Sequence, residues 1–212
     1  MVVDKISSRN SNNLVKKTIQ IPIDHNFVCL RSLNPNRSRF EVEYSLEKGS
    51  CTNSFLFKSS EDEDSESQDS ILIHPPGLTF EQEFLEEFET LISRDSNSIN
   101  LVMGHINPNK VAFVKRMNLK YKNLTIICSN PGAKLFKEIW NQRKPGNHAK
   151  QNDSLETEEI FPKIQIIKQV ENLSLNNNFE LTFIPAPTAR WPGGLIVFEK
   201  HTGLLMSDKL FG

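Results

Sequence analysis

Residues 99–110 read Ile-Asn-Leu-Val-Met-Gly-His-Ile-Asn-Pro-Asn-Lys, and they decide the fold. The first five residues are mostly apolar and predict a buried β-strand that runs directly into His105. A helix is expected to follow, because Asn107 can cap it and Pro108 suits its first position. A strand joined to a helix in this way is typical of a sheet that is covered by helices.

The turn after this strand has the layout of a metal-binding loop. A His at a strand end, followed by alternating side chains in a tight turn, directs several ligands at one point. Here the alternating side chains are Asn107, Asn109 and Lys110. An amide is a poor ligand for iron or zinc, and a protonated Lys is not a ligand at all. The layout therefore suggests a metal site, whereas the residue types argue against one.

The strand–helix rhythm extends to both sides of this stretch. Strands are predicted at residues 71–74, 99–103 and 124–128, and helices at 79–92, after Pro108 and after Asn130. Thr79 and Gln82 have the spacing of a capping box at the start of the first helix. This repeat predicts an α/β fold whose central strands run parallel.

Shorter alternating segments flank the repeat and predict antiparallel strands. They lie at residues 19–21, 27–30, 40–44 and 54–57 before the repeat, and at 164–167, 179–184, 195–198 and 204–206 after it. Residues 1–16 are predicted to be a disordered tail. Polar surface loops are predicted at about 59–69 and 143–160, so the folded domain would cover residues 17–212.

Composition excludes several classes of function. The chain has 212 residues, a formal net charge of -1 and three widely spaced Cys residues. The balanced charge gives no reason to expect binding to nucleic acid. The Cys spacing argues against a disulfide framework. Because the sequence shows neither a signal peptide nor an apolar run long enough to span a membrane, we expect a cytoplasmic protein without a membrane span.

Three local sequences carry a family resemblance. They are Leu-Val-Met-Gly-His-Ile-Asn-Pro-Asn-Lys (101–110), Phe-Ile-Pro-Ala-Pro-Thr-Ala-Arg-Trp-Pro-Gly-Gly (183–194) and Gly-Leu-Leu-Met-Ser-Asp-Lys-Leu-Phe-Gly (203–212). Together they resemble flavodiiron proteins, in particular the diflavin type of oxygenic phototrophs. The resemblance implies the αββα sandwich of metallo-β-lactamase type, incomplete at the C-terminus. The family's flavodoxin-like and flavin reductase domains would be absent from this chain.

The resemblance also implies a reaction and a ligand register. The family passes electrons from NAD(P)H through FMN to a diiron site, which reduces oxygen to water. In that register His105 matches the first His ligand and is retained. The other positions carry Asn107 for a Glu, Asn109 for an Asp, Lys110 for a His, Arg190 for the His before Trp-Pro, and Lys209 for the bridging Asp.

These substitutions change the charge of the site. Two irons need anionic ligands, but Lys110, Arg190 and Lys209 would bring three cations. One unit charge at about 4 Å contributes ~4 kcal/mol at an effective dielectric of 20, so we predict no metal, no cofactor and no catalytic residue in this chain. Compensation for the cations is expected from Asp208, from a bound small anion such as chloride or phosphate, or from a lowered Lys pKa.

Three interpretations remain open. The chain can be a subunit of a flavodiiron oxygen reductase, inactive alone and active in a homo- or hetero-oligomer with other flavodiiron subunits. It can instead be a non-catalytic scaffold, a regulatory partner or a truncated remnant that binds a small anion in the former iron pocket. A zinc hydrolase of the same fold is disfavoured, because only His105 remains of the ligands. His74, at a predicted strand end, is interpreted as a buried structural His or as a neighbour of the pocket.

Overall fold

The computed structural model describes residues 15–40, 44–46, 48–58, 70–92, 98–121, 123–142, 160–175 and 179–209. Most of the predicted tail, and both predicted polar loops except Ile160, lie outside these ranges. Within them, no helix combines the length and the apolar character that crossing a membrane requires.

Thirteen strands and three α-helices make up the described part of the chain. The strands are β1 (Lys17–Asp24), β2 (Phe27–Asn34), β3 (Arg39–Phe40), β4 (Tyr44–Ser45), β5 (Ser50–Phe57), β6 (Ser70–Ile73), β7 (Ser98–Val102), β8 (Asn123–Ser129), β9 (Lys163–Ile167), β10 (Glu171–Ser174), β11 (Glu180–Pro185), β12 (Leu195–Glu199) and β13 (Leu204–Met206). The helices are α1 (Glu81–Phe88), α2 (Pro108–Lys120) and α3 (Asn130–Asn141), and a 3-10 turn (Leu78–Phe80) precedes α1.

Two sheets stack face to face. The larger has the order β1-β2-β5-β6-β7-β8-β9, and its strands β6 to β9 run parallel, as predicted for the first three of them. The smaller is antiparallel, with the order β10-β11-β12-β13. Alternate residues of the central strands point into two different apolar cores. The core on the helical side contains Leu72, Leu101 and Ile126. The core between the two sheets contains Ile73, Val102 and Ile127. The described layers are therefore helix, sheet and sheet, three of the four layers of the expected α/β sandwich.

The first helix differs from its prediction. It was expected over residues 79–92, but α1 covers Glu81–Phe88. The capping box is wrong, because Thr79 lies inside the 3-10 turn and Phe80 occupies the N-cap without a side-chain hydrogen bond. Phe80, Phe84 and Phe88 form an apolar stripe that is buried in the core on the helical side. Burial of this stripe, rather than a cap, holds the helix in place.

Two strand predictions also need correction. The single strand predicted at residues 40–44 is replaced by the short paired strands β3 and β4, and residues 41–43 lie outside the described residues. Strand β10 is not among the predicted strands, and its residues Glu-Asn-Leu-Ser contain one apolar side chain. A polar strand at the edge of the smaller sheet carries too little alternation to be predicted.

The carboxyl ends of β6, β7 and β8 lie side by side at one end of the larger sheet. The His74 N–H donates to the Val102 carbonyl at 2.8 Å, and the Met103 N–H donates to the Ile127 carbonyl at 2.9 Å. Ser129 connects this end of the sheet to the loop between β11 and β12, because its hydroxyl donates to the Gly193 carbonyl at 2.8 Å. Loops that follow neighbouring parallel strands meet at the carboxyl ends of those strands. We therefore expect a functional site at this end of the sheet.

A buried carboxylate orders the turn that leads into β13. Glu199 accepts hydrogen bonds from the backbone N–H groups of His201 at 2.8 Å and Thr202 at 2.6 Å, and from the Thr202 hydroxyl at 2.6 Å. Burial by itself raises the pKa of Glu199, but these hydrogen bonds outweigh it and lower the pKa below its ordinary 4.5. The hairpin that carries β13 to the site therefore depends on an ionised side chain.

Replacing this carboxylate should weaken the hairpin in a pH-dependent way. Glu199→Gln is expected to lower the free energy of unfolding at pH 7 by about 1–3 kcal/mol, because an amide cannot accept all three hydrogen bonds. The native carboxylate contributes stability above pH 4.5 and loses it as the pH falls through its lowered folded-state pKa. The difference between wild type and variant should therefore shrink in acid, as measured by urea unfolding at several pH values.

The matched control is Glu138→Gln, on the exposed surface of α3, which should change stability little at any pH. A loss for Glu199→Gln that is the same at pH 7 and at pH 3 would contradict the role assigned to the ionised carboxylate.

Candidate functional site

The six positions that the resemblance assigns to iron ligands divide into two groups. Four of them lie close to the carboxyl ends of β6, β7 and β13, namely His105, Lys110, Arg190 and Lys209. Asn107 and Asn109 belong to the first turn of α2 and are engaged elsewhere. The structure thus brings four of the six predicted positions together.

The two amides are occupied by local structure. The Asn107 side-chain oxygen accepts the Lys110 backbone N–H at 2.8 Å, which caps α2 as the sequence predicts. Asn109 is exposed, and its amide packs so closely on Gly77 that a Cβ on that glycine would overlap it. Because of these contacts, neither amide side chain is placed to act as a metal ligand.

Lys110 and Asp208 form a buried ion pair at the centre of the site. The Lys110 Nζ lies 2.8 Å from the Asp208 Oδ2, and the side chains are only 7% and 9% exposed. Asp208 has a backbone φ of 51°, which a non-glycine residue rarely adopts without strong support. Asp208, which was one of the expected sources of compensation, contacts Lys110 directly. The three cations are not buried together, because Lys110 is buried whereas Arg190 is exposed and Lys209 is half-buried.

The electrostatics of the pair favour the charged state. Burial by itself raises the pKa of Asp208, but the Lys110 ammonium beside it has the opposite effect, and the pKa falls to about 2. Asp208 is therefore ionised at neutral pH. A carboxylate with so little exposure keeps its charge only when a cation replaces the water that it has lost.

His74 lies against this pair and is fully hydrogen-bonded. Its backbone N–H and C=O bind the Val102 carbonyl and the Ser54 hydroxyl, while its ring Nε2 lies 3.0 Å from the Met206 carbonyl. Its Nδ1 accepts the Gly104 N–H at 3.3 Å, so Nε2 carries the proton. Burial lowers the pKa of His74, which keeps the ring neutral. These contacts hold His74 at a backbone φ of 57°. His74 is therefore both a buried structural residue and a neighbour of the pocket, which are the two interpretations given for it above.

Gly104 permits this close packing. A Cβ at that position would overlap the Leu195 carbonyl oxygen and lie 2.6 Å from His74 Cε1. The strand-end Met-Gly-His sequence is therefore needed for the ring of His74 to reach the loop after β7. Sequence reasoning singled out His105 and gave His74 less weight, although both follow neighbouring parallel strands.

His105 and Arg190 both contact Trp191. The His105 and Trp191 rings are 4.2 Å apart between centroids and meet edge to face, and the Arg190 guanidinium carbon lies 5.2 Å from the indole centroid. Trp191 is therefore a packing surface for both side chains. A cation over an indole ring gains about 0.5–1 kcal/mol at an exposed site, which helps to position Arg190.

The residues present do not fit a pair of iron atoms. The six matched positions offer one imidazole, two amides that are already engaged, and three cations, and the Lys110 ammonium is bound to the Asp208 carboxylate. Across the ranges that the structure describes, no group of three or more His, Cys, Asp and Glu side chains could hold a metal ion. Iron in proteins of this kind needs imidazole and carboxylate ligands, which this arrangement does not supply.

The buried pair predicts strongly non-additive mutational effects. Lys110→Met should lower the free energy of unfolding by about 3–5 kcal/mol, because it leaves the Asp208 carboxylate buried without a cation. The double variant Lys110→Met/Asp208→Asn should recover much of that loss, since it removes both charges and Asn tolerates a positive φ. Urea unfolding of the single and double variants measures the difference.

The control for this pair is Lys120→Met, which removes an exposed ion pair with Glu89 and should cost about 0–1 kcal/mol. If Lys110→Met were no more destabilising than Lys120→Met, the assignment of the buried pair would be contradicted.

The sequence is similar to proteins called diflavin flavoproteins. It is 36% identical over 200 residues to diflavin flavoprotein A 3 of Synechocystis sp. (strain ATCC 27184 / PCC 6803 / Kazusa), a match that covers 92% of this chain and 29% of the relative. It is 34% identical over 193 residues to diflavin flavoprotein A 6 of Nostoc sp. (strain PCC 7120 / SAG 25.82 / UTEX 2576), covering 91% and 29%. The chain thus spans less than a third of the length of these curated relatives. No family model matches the sequence.

Solved structures show the same similarity. The metal-soaked Flv1 flavodiiron core from Synechocystis sp. PCC6803 matches with a TM-score of 0.75 at 29% identity, over 94% of this chain and 43% of that chain. Fragment 1–254 of diflavin flavoprotein A 5 from Nostoc sp. PCC 7120 matches with a TM-score of 0.72 at 26% identity, over 93% and 67%. The chain therefore belongs to the flavodiiron proteins and corresponds to the N-terminal, metallo-β-lactamase-like part of the diflavin flavoproteins.

Proposed function

We propose that this chain is a subunit of a flavodiiron oxygen reductase assembly and does not hold the diiron centre itself. In this proposal electrons travel from NAD(P)H through flavins to iron in a ligand-complete partner subunit, where oxygen is reduced to water. The chain contributes a folded core and an interface, and its own former iron pocket takes no part in the chemistry.

The single observation that carries this proposal is the ion pair between Lys110 and Asp208. Lys110 occupies a position that the resemblance assigns to a His ligand, and its ammonium lies 2.8 Å from the carboxylate. An iron ion placed there would face a buried cation and would have to displace it from its partner. Because breaking a buried pair costs about 3–5 kcal/mol, competition with iron is unfavourable before any missing ligand is counted.

The register of the other positions supports the same conclusion. Eighteen residues separate Arg190 from Lys209, which is the spacing that the resemblance gives for the corresponding His and Asp. The replaced positions therefore belong to one inherited site. Retention of His105 beside Trp191 is consistent with packing, since an imidazole can make that contact without a metal.

The test is a defined partner experiment. The purified chain is mixed with a purified diflavin flavoprotein that carries the full ligand set, and the mass of the complex is measured by sedimentation velocity. We expect a mixed oligomer, and we expect NAD(P)H-dependent oxygen uptake only when the ligand-complete subunit is present. The same mixture with the full-length relative omitted gives the background uptake.

A matched control separates assembly from catalysis. Replacing a carboxylate ligand in the ligand-complete subunit should abolish oxygen uptake and leave the mixed oligomer intact. If the two proteins sediment independently at concentrations far above micromolar, the subunit proposal fails and the non-catalytic remnant becomes the better account. Oxygen uptake that survives loss of the partner's ligand would contradict the assignment of chemistry to the partner.

A further inference from the structure

We draw no further inference here: the strongest candidate, the cleft of about 770 Å³ that lies between strands β5 and β13, is lined by Asp208 and so belongs to the site already described, and nothing in the described part of the structure shows what would fill it.

Discussion

The ion pair between Lys110 and Asp208 is the interaction on which the rest of the site depends. It joins the first turn of α2, which follows β7, to the segment that follows β13, and so connects the two sheets of the sandwich. Both side chains are almost fully withdrawn from water, so removing one of them would leave the other charge buried without compensation. His74 completes the connection, because its ring lies 3.0 Å from the Met206 carbonyl and accepts the Gly104 N–H.

On the proposed function, this arrangement explains how the positions that correspond to diiron ligands can remain folded without a metal. In a diiron protein, cations at the centre are balanced by carboxylates that surround them. Here the cation is the side chain of Lys110, and the balancing carboxylate is that of Asp208. In this proposal the Lys110 ammonium takes the structural part of the metal's role, and these side chains supply no redox group.

The sequence was informative where local chemistry determines the structure. The cap at Asn107, the helix after Pro108 and the parallel strands around them follow from residue types at fixed spacing. The capping box at Thr79 was wrong because an aromatic stripe, not a polar cap, fixes α1. The burial of Lys110 and the exposure of Arg190 could not be predicted, since they depend on which residues the folded chain brings together. Asp208 was a candidate partner, but its contact with Lys110 spans 98 positions and needed the fold.

The most direct test of this account is a crystal structure of the chain grown without oxygen in the presence of ferrous iron, with anomalous data collected at the iron absorption edge. The account predicts no iron peak beside His105 and a Lys110 ammonium within hydrogen-bonding distance of the Asp208 carboxylate. Two iron peaks beside His105, with the Lys110 side chain turned away from Asp208, would contradict it.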